Sequence, residues 1–226
     1  MTEQPEGFRQ SRFVAPPGAT RITLVRHGES APAVPGQPFP LRDGHGDPAL
    51  HPDGEAQARL VGAHLAEQHR SGDPISAIYV TTLQRTSQTA APLVHSIGVE
   101  PRTEADLREV FLGDWEGGLF RERVAAGDPI FLQVISEERW DRIPGAEPAE
   151  DLTNRLRAAV GRIHEAHPDQ RVVAVSHGGA IGHLLHLAAG SRPFAFAGAD
   201  NASISELVVN GDQWTVRLFN QTAHLR

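Results

Sequence analysis

Short apolar strand signals alternating with amphipathic helices predict an α/β fold for this 226-residue chain: a three-layer α/β/α sandwich with a mainly parallel sheet. Three observations carry that reading. The run Val172-Val173-Ala174-Val175 is continuously apolar, as expected for a strand covered on both faces. Leu152, Leu156, Ala159, Val160 and Ile163 recur at the helical period and give one apolar stripe just before that strand. Earlier in the chain the order repeats, with a strand from Ile75 to Val80 and a helix from Leu83 to Ser96.

The other elements follow in order. Ile22-Thr23-Leu24-Val25 reads as the first strand and runs into Arg26-His27-Gly28. Pro32, Pro35, Pro38, Pro40, Pro48 and Pro52 then forbid helix and central strand, so 31–52 is a long Pro- and Gly-rich loop. Asp53 reads as the N-cap of a helix reaching about His69, with Leu60, Val61, His64 and Leu65 on one face. Turn character marks 107–118, and short helices fill 119–139. His167-Pro168-Asp169 stops the helix before the buried strand, and another helix runs from about Gly179 to Ala189. Ile204 to Val209 and Trp214 to Phe219 form a hairpin across Asn210-Gly211. The chain reads as one domain over 1–226, with 1–19 a flexible extension.

Composition narrows the chemistry. Cysteine is absent and all 21 cationic residues are arginine, which removes thiolate nucleophiles, thiolate metal sites, lysine Schiff bases and the lysine of a P-loop. A net charge of -7 without long basic runs argues against nucleic acid, so an anionic ligand needs a local arginine cluster. No apolar run is long enough to span a membrane, and the start MTEQPEGFRQSRF lacks signal-peptide character, so the expected location is cytoplasmic. The expected partner is a small molecule; the oligomeric state stays open.

In open α/β sheets ligands bind beyond the carboxyl ends of the strands. Arg26-His27-Gly28 and Ser176-His177-Gly178-Gly179 both leave strands at such ends, which puts two histidines on one rim. Neutral imidazole is a competent nucleophile near pH 7. His27 has Arg26 beside it and Gly28 after it, where a missing side chain lets backbone approach an anion. Arg85, at the start of the helix after the second strand, adds a planar guanidinium suited to phosphate oxygens, and His177 completes a clamp.

Arg26-His27-Gly28-Glu29 resembles the signature of the histidine phosphatase superfamily, the phosphoglycerate mutase-like fold, in its phosphatase branch. The resemblance continues through Pro52-Asp53-Gly54-Glu55-Ala56-Gln57-Ala58, Thr82-Leu83-Gln84-Arg85-Thr86, Leu107-Arg108-Glu109 with Gly113-Asp114-Trp115-Glu116-Gly117, and Ser176-His177-Gly178-Gly179. It implies a phosphomonoester hydrolase with His27 as nucleophile, Glu109 as proton donor, and Arg26, Arg85 and His177 around the phosphate. A free glutamate is protonated in only roughly one molecule in 500 at pH 7, so the role requires Glu109 to hold its proton more tightly beside a dianionic substrate. The arginines take the part a metal would play, and no cofactor is expected. Where many members carry an asparagine six residues after the nucleophile, this chain has Ala33, so another phosphate contact is expected from Ser30 or a backbone amide. The 31–52 loop either selects the leaving group through Arg42, Asp43 or His45, or is an inert excursion.

Three other readings compete. Phosphoglycerate mutase-type transfer uses the same phosphohistidine but returns the group to a hydroxyl. A binding protein for phosphorylated ligands would have no need of Glu109. A serine hydrolase would use Ser176, with Asp200 or Asp212 and His224, but the nucleophile elbow lacks its first glycine. His183 and His186, at i and i+3 with no third ligand at metal spacing, read as packing residues.

Overall fold

A computed structural model describes residues 10–226. In chain order the strands and helices are β1 (Thr20–Arg26), β2 (Leu41–Arg42), β3 (His45–Gly46), α1 (Pro52–Arg70), β4 (Ile75–Val80), α2 (Gln84–Ile97), β5 (Pro101–Thr103), α3 (Leu119–Ala125), α4 (Pro129–Glu137), α5 (Ala149–Ala166), β6 (Arg171–Ser176), α6 (Gly178–Ala189), β7 (Ile204–Asn210) and β8 (Gln213–Gln221). The main sheet has the order β5-β4-β6-β1-β7-β8. Strands β5, β4, β6 and β1 pair in parallel, whereas β7 and β8 run antiparallel to their neighbours.

The alternation of side chains along β6 explains why its sequence is apolar throughout. Val172 and Ala174 face the buried residues of α5 and α6, among them Leu156, Val160 and Leu184. Val173 and Val175 face the other way, onto Val61, Leu65 and Leu93 of α1 and α2. A strand with helices on both sides has no solvent face to mark with polar residues. The five periodic apolar residues of α5 are all buried, as their spacing predicts.

Several local expectations change. His51, not Asp53, caps α1: its side chain accepts from Asp53 N, while Pro52 takes the first helical turn, where no N–H is required. Leu60 is 43% exposed; Val61 and Leu65 carry the buried face with Ala58 and Ala66. The Pro-rich loop contains a small hairpin, β2–β3, turning through Asp43 and Gly44 with φ values of 50° and 83°. Two positive φ angles in a two-residue Asp-Gly turn are the type I′ signature. Strand β5 is exposed along its length and carries no apolar pattern; only its pairing with β4 defines it. Of the expected flexible stretch 1–19, residues 1–9 lie outside the described residues; 10–18 hold no helix or strand, and Gly18 N donates to Asp169 Oδ1.

Two glycines set the approach of the first loop to α1. A Cβ on Gly54 would collide with Glu29 O, and one on Gly28 with Gly54 O. We expect Gly54→Ala to cost about 1–3 kcal/mol in urea unfolding, the range for forcing an extra methyl into close-packed structure. An unchanged midpoint would show that the loop yields freely.

Candidate active site

The strand order makes β4, β6 and β1 adjacent, and all three point the same way. Their carboxyl ends deliver Thr81, His177 and His27 to one rim, and Arg85 stands in the first turn of α2 just beyond β4. The His27 and His177 rings meet edge to face with centroids 5.1 Å apart.

The backbone around His27 is held from several directions. Its N–H donates to Ser176 O at 3.0 Å, and Asn201 Nδ2 donates to its carbonyl at 2.9 Å. Nδ1 lies 2.7 Å from Gly28 O, so this nitrogen carries the proton. Nε2 then accepts from Arg85 Nε at 3.2 Å. Burial, followed by the positive charges of Arg85 and Arg26, holds the His27 pKa well below the ordinary imidazole value. The ring is therefore neutral at pH 7, with its lone pair on the side that faces Arg85.

His177 is completely buried and its pKa is likewise depressed, by burial first and then by Arg85. Its Nε2 lies 3.0 Å from Thr81 Oγ1, while Nδ1 has no partner. Arg85 is fixed by the Pro-rich loop: Nη1 donates to Gly46 O at 2.9 Å, and Asp47, which also accepts from Gln84 N at 2.8 Å, stands 3.8 Å away. Arg26 donates to Ala199 O, and its Nε is buried without a partner.

Glu109 rests on the N-terminus of α6. Its Oε1 accepts from Val110 N at 2.9 Å and Ala180 N at 3.1 Å, and Oε2 from Gly179 N at 3.3 Å. This set of donors suits a carboxylate, which only accepts. A Cβ at Gly179 would press on Glu109 Oε1, so the glycine is what admits the carboxylate. The backbone of the acid loop is tied down by Arg155, which donates to the carbonyls of Asp106, Arg108 and Glu109 at 2.7–2.9 Å.

Arg26, His27, Arg85 and Glu109 share a pocket of about 320 Å³. Gly28 and Ser30 stand differently from expectation. The Gly28 N–H is taken by Thr89 Oγ1 at 3.0 Å, and its missing side chain makes room for Gly54 O rather than for an anion. Ser30 Oγ accepts from Arg121 Nη2 at 2.7 Å, and Arg121 Nη1 donates to Ala31 O at 2.7 Å. Arg121, from α3, thus enters the pocket near Ala33 as a third arginine that sequence reasoning missed. Of the loop residues singled out, His45 lines the pocket against Phe111; Arg42 pairs with Asp47, and Asp43 with Arg108.

Ser176 is excluded as a nucleophile by its surroundings. It is fully buried, with Oγ donating to Leu107 O at 2.7 Å, and His224 sits by Ala202 O and Gln221 instead. His183 and His186 place ring nitrogens on Thr153 Oγ1 and Ser191 O, which are packing contacts. Among the described residues, Glu29, His51 and Asp53 are the one group at metal-ligand spacing, and there His51 Nδ1 already accepts from Asp53 N.

The sequence profile of the histidine phosphatase superfamily (branch 1) matches residues 22–222. The chain belongs to that superfamily. This histidine phosphatase superfamily member is 32% identical over 210 residues to phosphoglycerate mutase-like protein 4 of Arabidopsis thaliana, covering 90% of this chain and 86% of the plant protein. It is 28% identical over 208 residues to phosphoserine phosphatase 1 of Hydrogenobacter thermophilus, at 91% and 94% coverage. It spans 55% of a bifunctional protein of Mycobacterium tuberculosis to which it is 32% identical. Among solved structures, mycobacterial glucosyl-3-phosphoglycerate phosphatase superposes with a TM-score of 0.73 at 26% identity, covering 90% of this chain and all of that one. Phosphoglycerate mutase from Bacillus anthracis, at 21% identity and a TM-score of 0.73, shares the fold. Among the described residues no helix is long and apolar enough to cross a membrane.

Proposed function

We propose that this chain hydrolyses small phosphate monoesters through a phosphohistidine on His27, without a metal ion. The carrying observation is the state of the His27 ring: neutral, with its proton on the Gly28 side and Nε2 free of hydrogen beside Arg85. Nε2 attacks phosphorus, and the bond from phosphorus to the ester oxygen breaks. The departing alkoxide takes a proton from Glu109, and charge developing on the ring is met by the Nδ1–H bond to Gly28 O. In the second half a water gives its proton to Glu109 and attacks phosphorus; the P–N bond breaks and its electron pair returns to Nε2, freeing inorganic phosphate.

Arg26 and Arg85 neutralise the phosphoryl oxygens, with Arg121, placed by Ser30, supplying the contact that Ala33 cannot make. In the tautomer this mechanism uses, His177 Nε2 accepts from Thr81 Oγ–H and the proton sits on Nδ1, the partnerless nitrogen, as a donor to a phosphoryl oxygen. The Glu109 carboxyl leaves the N–H groups of Gly179 and Ala180 in α6 when it takes up its proton, because a protonated acid cannot accept from them and from Val110 N in the same way.

Quenching turnover of 32P-labelled substrate in alkaline detergent, then peptide mapping at high pH, is expected to show phosphate on His27 that is stable to base and lost in acid, with release of inorganic phosphate. Label passing only to a second hydroxyl would mean a mutase; label on no histidine would end the proposal. Excess EDTA is expected to leave the rate unchanged, and vanadate to inhibit as a mimic of the transferring group.

The pH profile gives an independent check. Protonated His27 has no lone pair to offer, so activity is lost as pH falls through its depressed pKa. Arg85→Ala removes a positive charge beside the ring, raises that pKa and moves the acid limb of kcat/KM to higher pH. The ester's own second ionisation, near pH 6, is common to both enzymes, so the limb is read from the ratio of their kcat/KM at each pH, in which that ionisation cancels. An acid limb that stays in place would detach His27 from the rate.

A further inference from the structure

Resting on that reading, the walls of the pocket indicate which half of the substrate's chemistry is left to recognise. The charged side chains concentrate at the phosphoryl end. The guanidinium of Arg121 is engaged by Ser30 and Ala31, and its charge is felt by Arg26 and His27. Beyond that end the lining includes Phe39, Val110, Leu112, Trp115, Phe120 and Trp140, with His45 and Glu116 as its polar members. Trp115, Phe120 and Trp140 are not loose flaps. Trp115 and Trp140 lie 6.2 and 6.0 Å from the Phe120 ring, and Trp140 lies 4.9 Å from Phe194, in a small apolar core beneath α3 and α4.

The acidic group on this side is Glu116, whose oxygens accept from Leu112 N at 3.0 Å and Gly46 N at 2.7 Å. It binds the Pro-rich loop to the acid loop and leaves a negative charge beside the space for the alcohol. A second anionic group on the substrate would meet that carboxylate and an aromatic wall, because the lining arginines Arg26, Arg85 and Arg121 stand at the phosphoryl end. The space these residues line is about 320 Å³, at the low end for small-molecule sites.

We propose that the preferred substrates are phosphate monoesters of compact apolar alcohols, aryl or arylalkyl in character, and that a second negative charge on the alcohol half is selected against. The preference is for contact between an apolar group and the aromatic wall, so it acts on binding before the chemical step.

Phosphate release is to be measured on three primary-alkyl monoesters: 2-phenylethyl phosphate, glycerol 3-phosphate and 3-phosphoglycerate. The expected kcat/KM for 2-phenylethyl phosphate exceeds that for 3-phosphoglycerate by about tenfold or more, chiefly through KM. Phe39→Ala, on the loop, and Phe120→Ala, in the small core, are each expected to shrink the ratio of 2-phenylethyl phosphate to glycerol 3-phosphate at least threefold or so, by raising KM for the aromatic ester. Equal or better turnover of 3-phosphoglycerate overturns the proposal, as does an unmoved ratio in both variants once thermal melts show them folded. Failure to release phosphate from any of the three esters, with no phosphate trapped on His27, would instead sink the phosphatase reading beneath it.

Discussion

His27→Ala is expected to lower kcat/KM for alkyl phosphates by at least about 10⁴-fold, equivalent to about 5.5 kcal/mol of transition-state stabilisation. In the proposed mechanism the ring supplies the bond-forming lone pair. His177 is buried, with Nε2 at Thr81, and among the described residues no other histidine ring pairs with that of His27. The arginines proposed to hold the phosphate have their own anchors: Arg85 on Gly46 O, Arg26 on Ala199 O and Arg121 on Ser30 and Ala31. The variant should therefore keep its affinity for inorganic phosphate within a few-fold while turnover disappears. Calorimetric titration with phosphate alongside a release assay separates the two effects. Residual activity within a hundredfold of wild type would mean that another group attacks phosphorus.

Glu109→Gln is expected to slow hydrolysis of alkyl esters by about 10²–10⁴-fold, the usual scale of general acid catalysis. It should slow esters of acidic phenols far less, because a good leaving group departs without a proton. The geometry adds a second consequence. Glu109 accepts three backbone N–H bonds, two from the first turn of α6 and one from Val110, and a Gln side chain offers one acceptor and one donor group where the carboxylate offers two acceptors. Turning its NH2 toward Gly179 or Val110 and Ala180 leaves donor facing donor, so the side chain should also lose its fixed position. A plot of log rate against leaving-group pKa, steeper for the variant than for wild type, is the result that fits a proton donor. Parallel plots would reassign Glu109 to a purely electrostatic part.

Much of the architecture was legible because the signals are local. The double-sided burial of β6 writes itself as a continuous apolar run, and the stripe of α5 as a 3.6-residue period. The β7–β8 hairpin announced itself through Asn210-Gly211 between two strand-like segments. Strand β5 did not, since three exposed residues at a sheet edge have no face to pattern. The β2–β3 hairpin was missed although Asp43-Gly44 is a turn signal, because the surrounding prolines argued for loop throughout. The cap of α1 was misplaced by two residues: Pro52 and Asp53 both suit a first helical turn, and the choice between His51 and Asp53 as cap rests on backbone geometry.

The site divides in the same way. His27, Glu109, Arg85 and His177 stand in recognisable motifs at strand and loop ends, so residue order alone nominated them. Arg121, Asn201, Thr81 and Arg155 had no such signal. Arg121 meets Ser30 across 91 positions, Thr81 meets His177 across 96 and Asn201 meets His27 across 174. By itself the sequence determined the element types, the alternation that makes a buried parallel sheet, and the candidates for attack and phosphate binding, because periodicity and strand ends belong to short stretches of chain. Only the tertiary structure decided the strand order that brings β4, β6 and β1 side by side, the nitrogen of His27 that carries no hydrogen, the arginine that joins Ser30 and the aromatic wall opposite. Protonation state and hydrogen-bond partners are set by neighbours within a few ångströms, and those neighbours are far apart along the chain.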